Sequence, residues 1–216
     1  QRLSDRLDLL KQRNPGENPR TATLRGAIEW SWQWLDAEEK NLLSQAAVFA
    51  GGFTAEAAEC VLDPGESDQF VLEILQRLVD KSLPRSVRVD SLPGERRFQF
   101  FESIHHFLKE QFETLPGQAA IRTRHQEYYL GEGERLAERV RAGLDARDPH
   151  RLALEIDNIL AIERRAEQDP QASVRAALCV EPLLAARGPV GVFARVLNSA
   201  VTLSSTLSPE LQVNAL

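Results

Sequence analysis

Four histidines and two cysteines are the scarcest groups in this chain that could ligate a metal or carry a nucleophile, so their spacing decides what chemistry is open. His105 and His106 are adjacent, with Glu102 one turn before His106. Neighbouring positions on a helix point about 100° apart, so the two imidazoles do not readily share one metal, and a zinc site would want ligands at i and i+4 plus others from elsewhere. The pair reads as helix surface. His125 and His150 stand alone. Neither a G-x-S-x-G elbow nor a His-Glu-x-x-His pair occurs, so hydrolysis has no residue-level support. A phosphate-cradling loop requires G-x-x-x-x-G-K-[S/T], and the chain has no Gly-Lys step. Gly131-Glu-Gly133 reads only as a short interruption between helical segments. No catalytic, cofactor-binding or metal-binding residue is therefore assigned, and the chain is read as non-enzymatic.

Cys60 and Cys179 lie far apart in apolar helical surroundings and are expected to be free buried thiols. Trp30, Trp32 and Trp34 alternate, and alternate residues on a helix spread over more than half its circumference, so the three indoles cannot face one core. Trp34 is expected to join the apolar stripe of Leu24, Ala27, Ile28, Ser31 and Leu35, while Trp30 and Trp32 reach other surfaces and serve interdomain packing.

The elements that place these residues follow from periodicity. Leu3, Leu7 and Leu10 form one stripe at helical spacing, and residues 13–22, punctuated by Asn14-Pro-Gly16 and Asn18-Pro19, read as a linker. With no Met in the chain and a start inside this stripe, the sequence reads as cut from a longer protein. From Thr23 the helical pattern resumes. Asp36 with Glu39 is a capping box for a helix through Ala47, Gly51-Gly52 ends it, Thr54 N-caps a short helix to Leu62, and a third helix carries Phe70 to Val79. The period then changes to two: Val87 and Val89, then Phe98 and Phe100, flank the turn Asp90–Gly94 and predict a β-hairpin. Ile104, Phe107, Leu108, Phe112 and Leu115 restore a helix. Three helices, a hairpin and a closing helix are the order of a winged helix-turn-helix with an extra helix on each side, over residues 23–116. Residues 117–216 read as wholly α, with helices near 119–142, 150–168, 171–187 and 190–204 and another opening at Ser208. Antiparallel pairs with short turns suggest tetratricopeptide-like repeats. The fold class is thus mainly α: a winged helix with a small hairpin, followed by antiparallel helical repeats.

Charge bears on partners. The net charge of −6 and pI near 5.4 disfavour nucleic acid and anionic membranes. Between Ala22 and Pro116 nine Lys and Arg stand against sixteen Asp and Glu, and Arg85, Arg88, Arg96 and Arg97 at the hairpin read as a solvated wing. No segment reaches the roughly 20 apolar residues of a membrane span and no signal-peptide pattern opens the chain, so a cytoplasmic location is expected.

Read in order, Arg2-Leu-Ser-Asp-Arg-Leu7, Thr23-Leu-Arg-Gly-Ala-Ile-Glu-Trp-Ser-Trp32, Val48-Phe-Ala-Gly-Gly-Phe53, Leu78-Val-Asp-Lys-Ser-Leu83, Phe98-Gln-Phe-Phe-Glu-Ser-Ile104, Arg124-His-Gln-Glu-Tyr-Tyr129 and Glu155-Ile-Asp-Asn158 resemble the STAND-class (NB-ARC-type) signal-transduction ATPases of bacteria. The resemblance implies that residues 1–12 are the last helix of an NB-ARC region, 23–116 its winged helix and 117–216 the start of the sensing repeats. It implies ATP or ADP and Mg only in a nucleotide-binding domain outside this chain. The expected partners are that domain and a protein or small-molecule inducer at the repeats, in transcriptional control. Where the family carries a Met-His-Asp motif this chain has Phe100-Phe101-Glu102, without the phosphate-contacting His. Trp30, Trp32, Phe101 and Glu102 are the candidate interdomain contacts. A DNA-binding winged-helix regulator and a helical-repeat scaffold are the alternatives.

Overall fold

A computed structural model describes residues 24–65, 70–165 and 169–187, with side chains through 183. The expected helices at 1–12, 190–204 and beyond 208, and the linker 13–22, lie outside the described residues. Among those described, the chain is mainly helical with a small two-stranded antiparallel sheet, and no helix is long and apolar enough to cross a membrane. It forms two compact units: residues up to 48, 54–87 and 97–121 make the first, and 49–53, 88–96 and 122 onward the second.

The first unit begins with α1 (Leu24–Gln33) and α2 (Ala37–Gln45), which runs into a 3-10 turn at Ala46–Val48. The capping box is present: Glu39 N–H donates to Asp36 Oδ1 at 2.8 Å and Asp36 N–H to Glu39 Oε2 at 3.1 Å, satisfying two donors the helix cannot. Thr54 caps α3 (Ala55–Val61) through Ala57 N–H, and Gln45 holds the following turn with both ends of its amide on the Asp63 backbone at 2.8 Å. Helix α4 (Val71–Asp80) buries Val71, Ile74, Leu75 and Leu78. It ends in a two-bond cap: Leu83 N–H reaches Leu78 O and Ser82 N–H reaches Val79 O, with Ser82 at φ 61° in the left-handed region usually given to glycine. The Leu78–Leu83 motif is therefore a helix stop whose flanking leucines are both buried.

Strands β1 (Pro84–Arg88) and β2 (Arg96–Phe100) form the expected hairpin, and Gly94 at φ 91° takes its turn. One expectation here is corrected: Arg97 is not a solvated wing residue but is buried, while Arg85, Arg88 and Arg96 are exposed. Alternation explains it, because successive strand residues face opposite sides. Helix α5 (Glu102–Glu113) closes the unit. Arg25 of α1 forms a bidentate pair with Glu110 at 2.7 and 3.3 Å, and Trp32 lies edge-on to Phe107 at 5.5 Å. The order of these contacts makes α1 and α5 antiparallel.

Helices α6 (Gln118–Arg141), α7 (Asp148–Glu163) and α8 (Pro170–Arg187) follow one another with short connections and belong to the second unit from Arg122 onward. Arg139 pairs with Asp148 at the near end and His125 meets Asn158 further along, so α7 runs against α6. Gln126 with Asp169 and Arg175 with Glu134 set α8 parallel to α6. Gly131 and Gly133 do not interrupt anything: α6 is continuous through both. A Cβ on Gly133 would stand 3.0 Å from both Cys179 Sγ and Ile159 Cδ1, so this glycine lets three helices approach closely.

Candidate functional site

The sequence-derived contacts fall into an outward and an inward group. Trp30 and Trp34 are 49% and 70% exposed, with ring centroids 5.8 Å apart in an edge-to-face pair. Helix α1 ends at Gln33, and the backbone bonds from Trp34 N–H to Ser31 O and from Leu35 N–H to Trp32 O tighten its last turn. That early stop removes Trp34 from the apolar stripe in which periodicity placed it, and Leu35 is buried instead. Trp32 is half-buried on Phe107 inside its own unit.

Phe101 is 53% exposed at the N-cap of α5, with the Arg85 guanidinium 4.9 Å above its ring, a cation–π contact. Glu102 follows in the first turn of α5, where the helix dipole favours an anion. The helix end that would otherwise welcome phosphate thus carries its own carboxylate. Because α1 and α5 are antiparallel, the end of α1 bearing Trp30 and Trp34 lies towards the start of α5 bearing Phe101 and Glu102. His105 is half-buried rather than a surface residue, its Nε2 3.1 Å from Ala47 O and its ring stacked on Phe100. His106 lies 3.6 Å from Glu110.

Beside the Asp36 cap, Glu39 is 1% exposed and takes Lys81 Nζ at 2.6 Å, with Arg77 at 3.6 Å. Asp36, Glu39, Arg77, Asp80 and Lys81 line an open depression of about 490 Å³. Its acids and bases satisfy one another, which reads as a helix-docking network.

The second unit holds a polar cluster that spacing did not reveal. His125, expected to stand alone, is fully buried, its Nε2 3.4 Å from Asn158 Oδ1 and its ring 4.7 Å from Tyr129. Burial, reinforced by the positive charge of Arg165 and opposed by the Asn158 hydrogen bond, pushes its pKa down to about 3, so the imidazole is neutral. Asn158 also reaches the segment 49–53: Oδ1 accepts Ala50 N–H at 2.9 Å and Nδ2 donates to Gly52 O at 3.1 Å. Phe49 and Phe53 stack at 4.1 Å and are fully buried. Three stretches that sequence reading singled out separately, 48–53, 124–129 and 155–158, meet here.

The cysteines are both free, but only Cys179 is buried; Cys60 is exposed on α3, whose outward face also carries Glu56 and Glu59. Burial pushes the Cys179 thiol up to about 12. Among the described residues no group of three His, Cys, Asp or Glu is placed to hold a metal. Comparison with protein-family models, curated proteins and solved structures finds no match.

Proposed function

We propose that the chain is a non-catalytic regulatory module of a STAND-class signalling ATPase, in which a winged helix docks on a nucleotide-binding domain and tetratricopeptide-like repeats sense an inducer or partner. ATP or ADP and Mg then belong to that domain and touch no residue assigned here. The observation that carries the reading is the exposed aromatic edge of the first unit, the edge-to-face pair of Trp30 and Trp34, with Phe101 separately exposed at the start of α5. Large apolar rings are costly to leave in water and mark a surface meant to be covered. The helix–helix–helix–hairpin–helix order from α2 to α5, and the antiparallel then parallel succession of α6, α7 and α8, support the two halves of the reading. Against DNA stand the acidic balance of residues 22–116 and the burial of Arg97, which takes one of four cations off the hairpin surface.

In this mechanism the aromatic edge is covered in the resting, ADP-bound state, and a ligand that favours the open state shifts a two-state equilibrium. Trp34 joins Trp30 in the contact, while Trp32 packs on Phe107 within its own unit. Replacing Trp30 or Trp34 by Ala in the intact regulator raises its basal nucleotide exchange. Unchanged exchange in a folded variant refutes the proposed lock.

A further inference from the structure

We infer that Phe49–Phe53 is a strap latched by Asn158, and that the latch transmits the arrangement of α6 and α7 to the start of α3. This rests on the regulatory reading above and gives it a physical conduit. One side-chain amide holds both polarities of a short stretch of backbone that bends at Ala50 and Gly51, accepting from Ala50 and donating to Gly52. A carboxamide does both from two separate atoms on one planar group, whereas a carboxylate cannot donate and an apolar side chain can do neither. Glycine gives close approach at the middle of the strap, because a Cβ on Gly51 would lie 3.0 Å from Asp157 Cβ and 3.3 Å from its Oδ2 and would crowd that side chain. The strap is anchored at its ends by the stacked, fully buried Phe49 and Phe53, with Tyr129 edge-on to Phe49 at 6.1 Å.

Two helices lock the latch from behind. Asn158 sits on α7, and His125 of α6 places Nε2 against the same Oδ1 that holds Ala50. A shift of α7 along α6 therefore changes both bonds together. The strap's C-terminal neighbour is Thr54, whose hydroxyl caps α3 by accepting Ala57 N–H at 3.1 Å. Loss of the strap thus reaches the α3 cap through one peptide bond.

The test is residue-resolved amide hydrogen exchange by NMR on the full 216-residue chain, comparing wild type with Asn158→Leu and Asn158→Asp. In Asn158→Leu the Ala50 amide exchanges about tenfold to hundredfold faster, the Ala57 amide follows, and Leu75 in α4 keeps its wild-type rate. Asn158→Asp retains an acceptor for Ala50 but sets a carboxylate beside His125, so Ala50 stays protected while the His125 ring titrates at higher pH than in wild type. Unaltered Ala50 exchange in Asn158→Leu overturns the latch. Ala50 exchange that rises without Ala57 overturns the transmission, and a uniform rise that includes Leu75 reduces Asn158 to a core residue and overturns both. A negative result for the tryptophan variants would remove the ATPase reading and leave these rates untouched.

Discussion

Acidification tests the buried imidazole directly. His125 is held neutral, with its pKa at about 3 against 6.5 for a free histidine, chiefly by burial among Phe49, Tyr129 and Asn158. The unfolded chain takes up a proton near pH 6.5 that the folded chain refuses, so unfolding gains proton-binding energy as the pH falls. The stability attributable to neutral His125 is intact above 6.5 and is lost through the window from 6.5 down to about 3. The slope in that window is about 1.4 kcal/mol per pH unit, or about 3 kcal/mol between pH 6.5 and pH 4.5. The assay is urea unfolding of wild type and His125→Gln from about pH 7.5 to about pH 4.5. Both tyrosines lie on α6 in the second unit, so the tyrosine signal reports on the unit that holds His125. Whatever fixed cost Gln imposes, the gap between wild type and variant must close by about 3 kcal/mol on acidification in the tyrosine signal. Parallel curves across this range would refute the account of His125.

Other consequences are equally specific. Glu39→Ala removes one arm of the capping box and the partner of Lys81, and lowers first-unit stability by about 1–3 kcal/mol in tryptophan-monitored unfolding. Ser82→Gly relieves a left-handed backbone and adds about 1 kcal/mol, read the same way; a loss would contradict the cap geometry. Gly133→Val forces methyl groups against Cys179 and Ile159 and costs the second unit about 1–3 kcal/mol or more in its melting curve. An aromatic disulfide reagent labels Cys60 in the native protein and leaves Cys179 unmodified until unfolding. Labelling of Cys60 is slower than for a free thiol at neutral pH, because partial desolvation of its exposed sulfur first, then Glu56 and Glu59, raises its pKa.

Capping and turn chemistry carried the local structure in the first unit, because those signals act within a few residues. Asp36 with Glu39, Thr54 before Ala57 and the Asp90–Gly94 turn each require only their own backbone, and each lies where pattern placed it. The same holds to within two residues for α6, for the start of α7 and for α8, since Pro and Gly punctuate them, whereas α7 ends at Glu163, five residues before the expected 168. Side-chain fate was another matter. Trp34 follows helical periodicity only if the helix lasts, and it stops one residue earlier. Arg97 and His125 look like surface groups in composition, yet both are buried, His125 against Phe49 and Asn158 far away in the chain. Cys60 went the other way, into solvent.

The polar latch marks the limit most clearly. Asn158 and Ala50 are separated by 108 positions, and no local rule joins an asparagine on one helix to a glycine-rich stretch so far upstream. The order of residues settled where helices start, stop and turn, since those events are governed by hydrogen bonds and torsions of adjacent peptides. Which aromatic rings meet water, which histidine loses its charge and which amide grips the main chain were settled by packing, because desolvation and hydrogen-bond geometry depend on groups brought together only when the helices assemble.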